Sequence, residues 1–169
     1  VYTNLEVTLK KDRQGRWTQY LYNVNEQVIG MVDPQGRVTS YERCICGELK
    51  GLVDANGHRT SWAQDIQGRT TSKTFADGTG YAYGYDTGYT SRLLTVTDPK
   101  GQVATTSYND DDTVSQVAYT GSGVSTPTVS FSYDTVYPRL ASVTNGTDVT
   151  SYAYNGVYSS GSPITGGGR

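Results

Sequence analysis

The sequence is short of the residues that fill ordinary cores and reaction centres. It has one Met, two Phe and two Trp, and Leu is sparse, which argues against helices packed through long apolar side chains. One His and two Cys make a poor set of metal ligands and leave no base around which to build a catalytic triad. No phosphate-binding glycine loop is present. No apolar run approaches the ~18–20 residues of a membrane-spanning helix, and no signal-peptide pattern opens the chain. The net charge of −2 gives no electrostatic reason to expect a nucleic acid or an anionic membrane as partner. Neither a cofactor nor an enzymatic activity is expected.

What the chain has instead is 15 Tyr and 20 Gly, with abundant Thr, Ser and Val. Tyr buries a ring but keeps its hydroxyl at water or a partner, so it suits a half-wet surface. With the β-branched residues it points to an all-β fold. At 169 residues the length allows one or two domains and a real core. The first residue is Val1, and Arg169 follows a Gly-rich run of the kind a trypsin-like cut would leave. We therefore expect a fragment of something longer.

Internal repetition decides the architecture. Turn glycines fall at Gly15, Gly36, Gly57 and Gly78, 21 residues apart, then at Gly101, around Gly121 and Gly123, and at Gly146. Five residues after the first four stand Tyr20, Tyr41, Trp62 and Tyr83. Thr106, Phe131 and Tyr152 match them later. Units close on Tyr22-Asn23, Arg43-Cys44, Gln64-Asp65, Tyr85-Asp86, Tyr108-Asn109, Tyr133-Asp134 and Tyr154-Asn155. That makes seven units over 1–155, with 156–169 expected as a flexible Gly/Ser-rich tail.

Each unit reads as two strands and two turns. Asp33-Pro34-Gln35-Gly36 and Asp98-Pro99-Lys100-Gly101 fit a type I turn, with Asp first, Pro pre-set second and Gly fourth. Thr144-Asn145-Gly146 reads as a looser version. Incoming strands are aliphatic, and outgoing strands alternate aromatics at period two, as in Tyr81, Tyr83 and Tyr85 after the Asp77-Gly78 turn. The expected fold is consecutive antiparallel hairpins of about 21 residues forming a curved β-spiral. About fourteen strands at ~4.8 Å each span roughly 65 Å. Closed on itself, a sheet that wide is too large for side chains to fill.

The unit Gly-Arg-Leu, strand, Asp-Pro-x-Gly, Thr-x-Tyr-x-Tyr-Asp resembles the YD repeat of Rhs proteins. Related repeats occur in the C components of bacterial insecticidal toxin complexes and in teneurins. Its clearest instances are Ser91-Arg92-Leu93 through Asp98-Pro99-Lys100-Gly101 to Tyr108-Asn109, and Gly68-Arg69 through Tyr83-Gly84-Tyr85-Asp86. Pro138-Arg139-Leu140 through Tyr152-Ala153-Tyr154-Asn155 matches as well. The resemblance implies a segment of a hollow shell that encloses a polymorphic toxin, belonging to a bacterial protein that is secreted or displayed at the cell surface. Its partners are then the rest of the parent shell and the enclosed toxin domain. The family's autoproteolytic core continues Asp-Pro-x-Gly with Leu; here Arg37 and Gln102 follow, so no cleaving aspartate is carried over.

Candidate sites weigh less than their plainer readings. Cys44 and Cys46, read on a strand, share a face and are expected as unpaired thiols, too constrained to join. His58 is expected as a solvated turn residue. Asp110-Asp111-Asp112 lacks the spacing of a calcium loop and reads as a solvated turn. Asp65, Asp86 and Asp134 read as turn caps. Asn145-Gly146-Thr147 is a glycosylation sequon only in a chain that a eukaryote secretes. The rows holding Tyr20, Trp62, Tyr83, Phe131 and Tyr152 read as cross-strand packing, with sugar stacking in a carbohydrate-binding or adhesion module as the rival. An isolated fragment with open sheet edges is expected to self-associate edge to edge.

Overall fold

The computed structural model describes residues 1–3, 6–121, 123 and 125–154; Asn155 and the expected tail at 156–169 lie outside them. Among the described residues there is no helix and there are sixteen strands. They are β1 (Tyr2–Thr3), β2 (Glu6–Val7), β3 (Leu9–Lys11), β4 (Trp17–Tyr22), β5 (Val28–Val32), β6 (Val38–Arg43), β7 (Leu49–Val53) and β8 (Arg59–Gln64). Then follow β9 (Thr70–Thr74), β10 (Gly80–Tyr85), β11 (Leu93–Thr97), β12 (Val103–Tyr108), β13 (Val114–Thr120), β14 (Val129–Tyr133), β15 (Leu140–Asn145) and β16 (Asp148–Ser151). β1 and β2 pair with each other, and the fourteen strands from β3 to β16 are ordered in their sheet as they are in the chain. This is the all-β arrangement of successive hairpins that the repeat calls for. The chain divides into two compact units, one of Val1–Gly84 with Thr97–Lys100 and one of Tyr85–Val96 with Gly101–Arg169.

In the first unit every connection from β3 to β10 uses the same device. The turns begin at Asp12, Asn23, Asp33, Cys44, Asp54, Asp65 and Phe75, alternately eleven and ten residues apart. In each, the fourth residue donates its N–H to the first residue's carbonyl, as Gly36 does to Asp33 at 2.9 Å. The first residue's N–H then reaches the fifth residue's carbonyl, as Asp33 does to Arg37 at 3.0 Å. The fourth residue must adopt a left-handed conformation. Gly36 and Gly57 have φ of 78° and 82°, while Glu26 holds that position at 62° without being glycine.

Two kinds of strand pair alternate. The pairs β5–β6 and β7–β8 have three registered residues each, such as Gly30↔Ser40, Met31↔Thr39 and Val32↔Val38. The linking pairs β4–β5, β6–β7 and β8–β9 each end in a bulge, at Leu21/Tyr22, Glu42/Arg43 and Ala63/Gln64. The second unit repeats the bulge at Ser107/Tyr108 and Ser132/Tyr133. There the last hairpin is tighter than its sequence implies. Asn145 pairs directly with Asp148, leaving the two-residue loop Gly146-Thr147 with Gly146 at φ 60°. A glycine at the first loop position belongs to the primed turns that match strand twist, not to type I.

The length allowed a real core, but no hydrophobic side chain among the described residues is fully buried. Among the described residues there is no helix to lie over either unit's strands, and a sheet buries side chains fully only when something packs on it. Among the described residues the two buried positions are glycines, Gly30 and Gly51. Each lies beneath a neighbour's side chain. A Cβ at Gly30 would meet Leu21 Cδ1 at 3.1 Å, and one at Gly51 would collide with the Glu42 carboxylate. Bare backbone at Gly51 lets Glu42 lie across the sheet to Arg59, with Nη2 to Oε2 at 2.6 Å.

The thiols are not free. Cys44 and Cys46 form a disulfide with a Cα–Cα distance of 5.2 Å. The expectation failed because it placed both residues on a strand, where alternate Cα atoms lie about 6.6 Å apart. Cys44 instead opens a turn, with Gly47 N–H on its carbonyl at 2.9 Å, and the turn draws the pair from the far edge of the disulfide range to well inside it.

Candidate functional site

The clearest recurring site is a hydrogen-bonded latch built, in six of the seven units, from the first residue of the closing pair. β5 and β6 pair only as far as Gly30↔Ser40, so the hairpin splays at its open end and the Val28 carbonyl is left beyond the ladder. A strand carbonyl without a backbone partner needs another donor or water. Arg43 Nε supplies it at 2.9 Å. Tyr22 OH does the same to Val7 O at 3.0 Å, and Gln64 Nε2 to Leu49 O at 3.2 Å. In the second unit Tyr108 OH reaches Leu93 O at 2.9 Å, Tyr133 OH reaches Val114 O at 2.9 Å and Tyr154 OH reaches Leu140 O at 2.8 Å. The bulge beside each donor that ends a strand turns that residue toward the carbonyl, since bulges re-aim side chains. Tyr, Arg and Gln share no ring and no charge at this position. They share a long side chain ending in a donor.

The second recurring feature is the turn clasp. Asp33 Oδ1 accepts the backbone N–H groups of Gln35 at 2.9 Å and Arg37 at 3.0 Å. Its Oδ2 takes Arg37 Nε at 2.6 Å. Asp12, Asp54 and Asp65 do the same with Arg16, His58 and Arg69. The Arg16 N–H, followed by the Arg16 side chain, holds the Asp12 carboxyl below the usual aspartate range. For Asp54 the His58 N–H is the largest single influence in this direction. For Asp33 and Asp65 partial desolvation is the largest influence and opposes ionisation. The combined donors from Arg37 and Gln35, and from Arg69 and Gln67, outweigh it. Asp86 and Asp98 accept the N–H groups of Gly88 and Lys100 in the same manner, and Pro99 and Pro34 occupy second turn positions. Cys44 stands where these carboxylates stand, and its disulfide ties first residue to third as the Asp oxygen ties to the third N–H.

The aromatic rows fall on common faces. In the first unit Tyr20 faces Met31, Tyr41 faces Leu52, Trp62 faces Lys73 and Lys73 faces Tyr81. With Met31 opposite Thr39 and Leu52 opposite Thr60, the period of two puts Tyr20, Tyr41, Trp62, Tyr81 and Tyr83 on one face. In the second unit Phe131 faces Val143, which faces Thr150, so Phe131 and Tyr152 share a face. The rings pack on neighbours. Tyr81 and Tyr83 stack with centroids 6.3 Å apart, Phe75 meets Tyr81 edge-on, and Lys73 Nζ lies 4.9 Å from the Phe75 centroid. Tyr85 ends β10 at the latch position.

His58 Nδ1 is 3.4 Å from Asp54 and lines an open hollow of about 500 Å³ with Thr60, Phe75, Ala76 and Asp77. The aspartates at 110–112 diverge: Asp111 accepts from Thr113 at 2.6 Å, while Asp112 pairs with Arg92. Cys44, Cys46 and Glu48 have ligand atoms within 4.8 Å of one another, but the disulfide takes both sulfurs. The latch was missed in the sequence because the Tyr period was read as a row of rings. Arg43 and Gln64 in the same register carried the signal.

No family model matches the chain, and no curated protein matches it in sequence. Solved structures do match in fold. The crystal structure of TcdB2-TccC3-Cdc42 aligns with a TM-score of 0.65 at 17% identity, covering 76% of this chain and 7% of that one. TcdB2-TccC3 without its hypervariable C-terminal region aligns at 0.65, with 18% identity, 76% of this chain and 7% of that chain. The Photorhabdus luminescens Tc holotoxin pore aligns at 0.66, with 16% identity over 77% of this chain and 7% of its counterpart. The chain thus spans less than a tenth of each of these proteins, and what it shares with them is the strand-by-strand fold of Tc toxin chains.

Proposed function

We propose that this chain is a stretch of wall from an Rhs/YD-repeat shell that encapsulates a toxin, without catalysis of its own. The observation that carries the reading is the latch, in which the repeat's closing residue is spent on holding hairpins side by side. A residue so used is a structural member, and its recurrence makes an extendable strip. The fold shared with Tc toxin chains supports a strip that belongs to a larger protein. On this reading its partners are the remainder of that shell and the cargo inside, and the parent is exported. The ring-bearing face then looks inward, where Tyr hydroxyls meet water or unfolded cargo.

The test uses the longer protein that carries this strip. With the shell intact, added protease should leave the enclosed domain whole. Prompt digestion of that domain while the shell stays intact would overturn the wall reading. A second reading, a sugar-binding surface, draws on the open hollow of about 270 Å³ formed by Val7, Lys10, Tyr20, Tyr22 and Val28. Glycan binding abolished by Tyr83→Ala or Tyr20→Ala would favour it.

A further inference from the structure

The turn at Cys44 departs from its siblings at two positions that face each other. In the turns at Asp12, Asn23, Asp33 and Asp65 the fifth residue's side chain folds back on the first residue's. Arg16 Nε meets Asp12 Oδ2 at 2.8 Å, Arg37 Nε meets Asp33 Oδ2 at 2.6 Å, and Arg69 Nε meets Asp65 Oδ2 at 2.7 Å. Asn23 Nδ2 donates to Gln27 Oε1 at 2.9 Å. These pairs all set a donor against an acceptor.

The turn at Cys44 has Cys44 first and Glu48 fifth, with the Cys44 N–H on the Glu48 carbonyl at 3.0 Å. An ionised carboxylate only accepts, and a thiolate has no proton to give. Once reduced, this turn folds two cation-seeking groups together where its siblings pair a carboxylate with arginine. Cys46 joins them from the third position. Both sulfurs and a Glu48 carboxylate oxygen lie within 4.8 Å of one another. Lys50 Nζ holds Glu48 Oε2 at 2.8 Å and Gln64 Oε1 at 2.5 Å, the kind of outer contact that fixes a metal-ligating carboxylate in place.

We propose that the Cys44–Glu48 turn is a redox-gated site for a thiophilic divalent cation of the zinc class. Oxidised, it is closed by the disulfide. Reduced, it offers two thiolates and one carboxylate, with water in the fourth place. The reductant is a small thiol of the kind that keeps cysteines reduced inside cells. Two thiols give two electrons and two protons to the S–S bond, leaving two cysteine thiols and the reductant's own disulfide. The cation then displaces both cysteine protons to solvent and keeps its oxidation state. Cys46 is exposed, so the reductant can reach it. Sulfurs released from the bond come to rest roughly 3.7 Å apart, which is also the separation of two ligands held tetrahedrally at zinc–sulfur distances of about 2.3 Å. The cation thus ties first residue to third, as the disulfide does, and adds the tie to the fifth that arginine makes elsewhere.

Zinc titration of the full chain against a chromogenic chelator tests this, after reduction with a thiol that is then removed under nitrogen. The reduced chain should take up one zinc and melt at a higher temperature with it than without. The oxidised chain should take up none at concentrations that saturate the reduced form. Cys46→Ser and Glu48→Gln, each with the circular dichroism of the native chain, should bind zinc about 10–100-fold more weakly when reduced. A reduced native chain that takes up no zinc, an oxidised chain that binds it equally well, or a Glu48→Gln chain that binds it as tightly as the native one overturns the proposal.

Discussion

At the scale of single residues, the repeat spends its most visible letters on backbone atoms. Tyr22, Tyr108, Tyr133 and Tyr154 each donate to a strand carbonyl beyond the ladder, and Asn23, Asp86 and Asp134 clasp the turns that follow. Spacing made these positions equivalent in the sequence but could not name the atom each one serves. The clue was Gln64, which shares only a donor with Tyr. Gln64→Leu leaves the Leu49 carbonyl unpaired and strips Lys50 of a 2.5 Å contact, so it should cost about 1–3 kcal/mol. Gln64→Tyr restores a donor and should cost less than half as much; equal losses in urea unfolding would remove the latch from the account.

The clasps set the acid limit. Asp12, Asp33, Asp54 and Asp65 have carboxyls lowered by their turn donors. A group whose folded pKa is depressed stabilises the fold above its unfolded pKa and loses that contribution as pH falls through the folded value. The melting temperature should hold near neutral pH and fall as the pH drops from about 4 downward. A melting temperature that rose on acidification in that range would contradict the clasps. At Cys44 the clasp is covalent, and reduction should cost about 1–2 kcal/mol for so short a loop. In Cys44→Asp, Cys46→Asn the carboxylate clasp is rebuilt, so reductant should no longer move the melting point. A reductant effect of the same size in that variant would mean that the disulfide is not the clasp.

At the scale of elements, hairpins and their turns were legible because Asp-Pro-x-Gly and Asp-Gly fix backbone conformation locally. The bulges were not, because a bulge is a two-against-one count between strands and leaves no local mark. The disulfide was misread for a related reason: spacing alone does not say whether a pair lies on a strand or in a turn. Close approach is another property of pairing. Gly80 stands opposite Thr74, and a Cβ there would run into the Lys73 carbonyl and come within 3.0 Å of Thr74 Cα. Gly80→Ala must therefore push β9 and β10 apart, at about 1–3 kcal/mol. Amide exchange in Thr70–Thr74 and Gly80–Tyr85 should quicken together. Unchanged exchange would mean that the register there is wrong.

At the scale of the whole molecule, the strand order was foreseeable and the absence of a closed core was not fully drawn. Few Leu, one Met and many Tyr describe side chains that stay half wet, and half-wet chains cannot replace a core by burial alone. Polar side chains reaching backbone carbonyls must then carry much of what burial carries elsewhere, in both units alike. Removing the hydroxyls of Tyr22, Tyr108 and Tyr133 together, each as Tyr→Phe, tests this most directly. The rings and their packing remain, and only the bonds to Val7, Leu93 and Val114 are lost. At about 1 kcal/mol each for well-separated sites, the melting temperature should fall by roughly 6–12 °C for a chain of this size. A triple variant that melts with the native chain would show that the repeat's tyrosines do not hold the wall together.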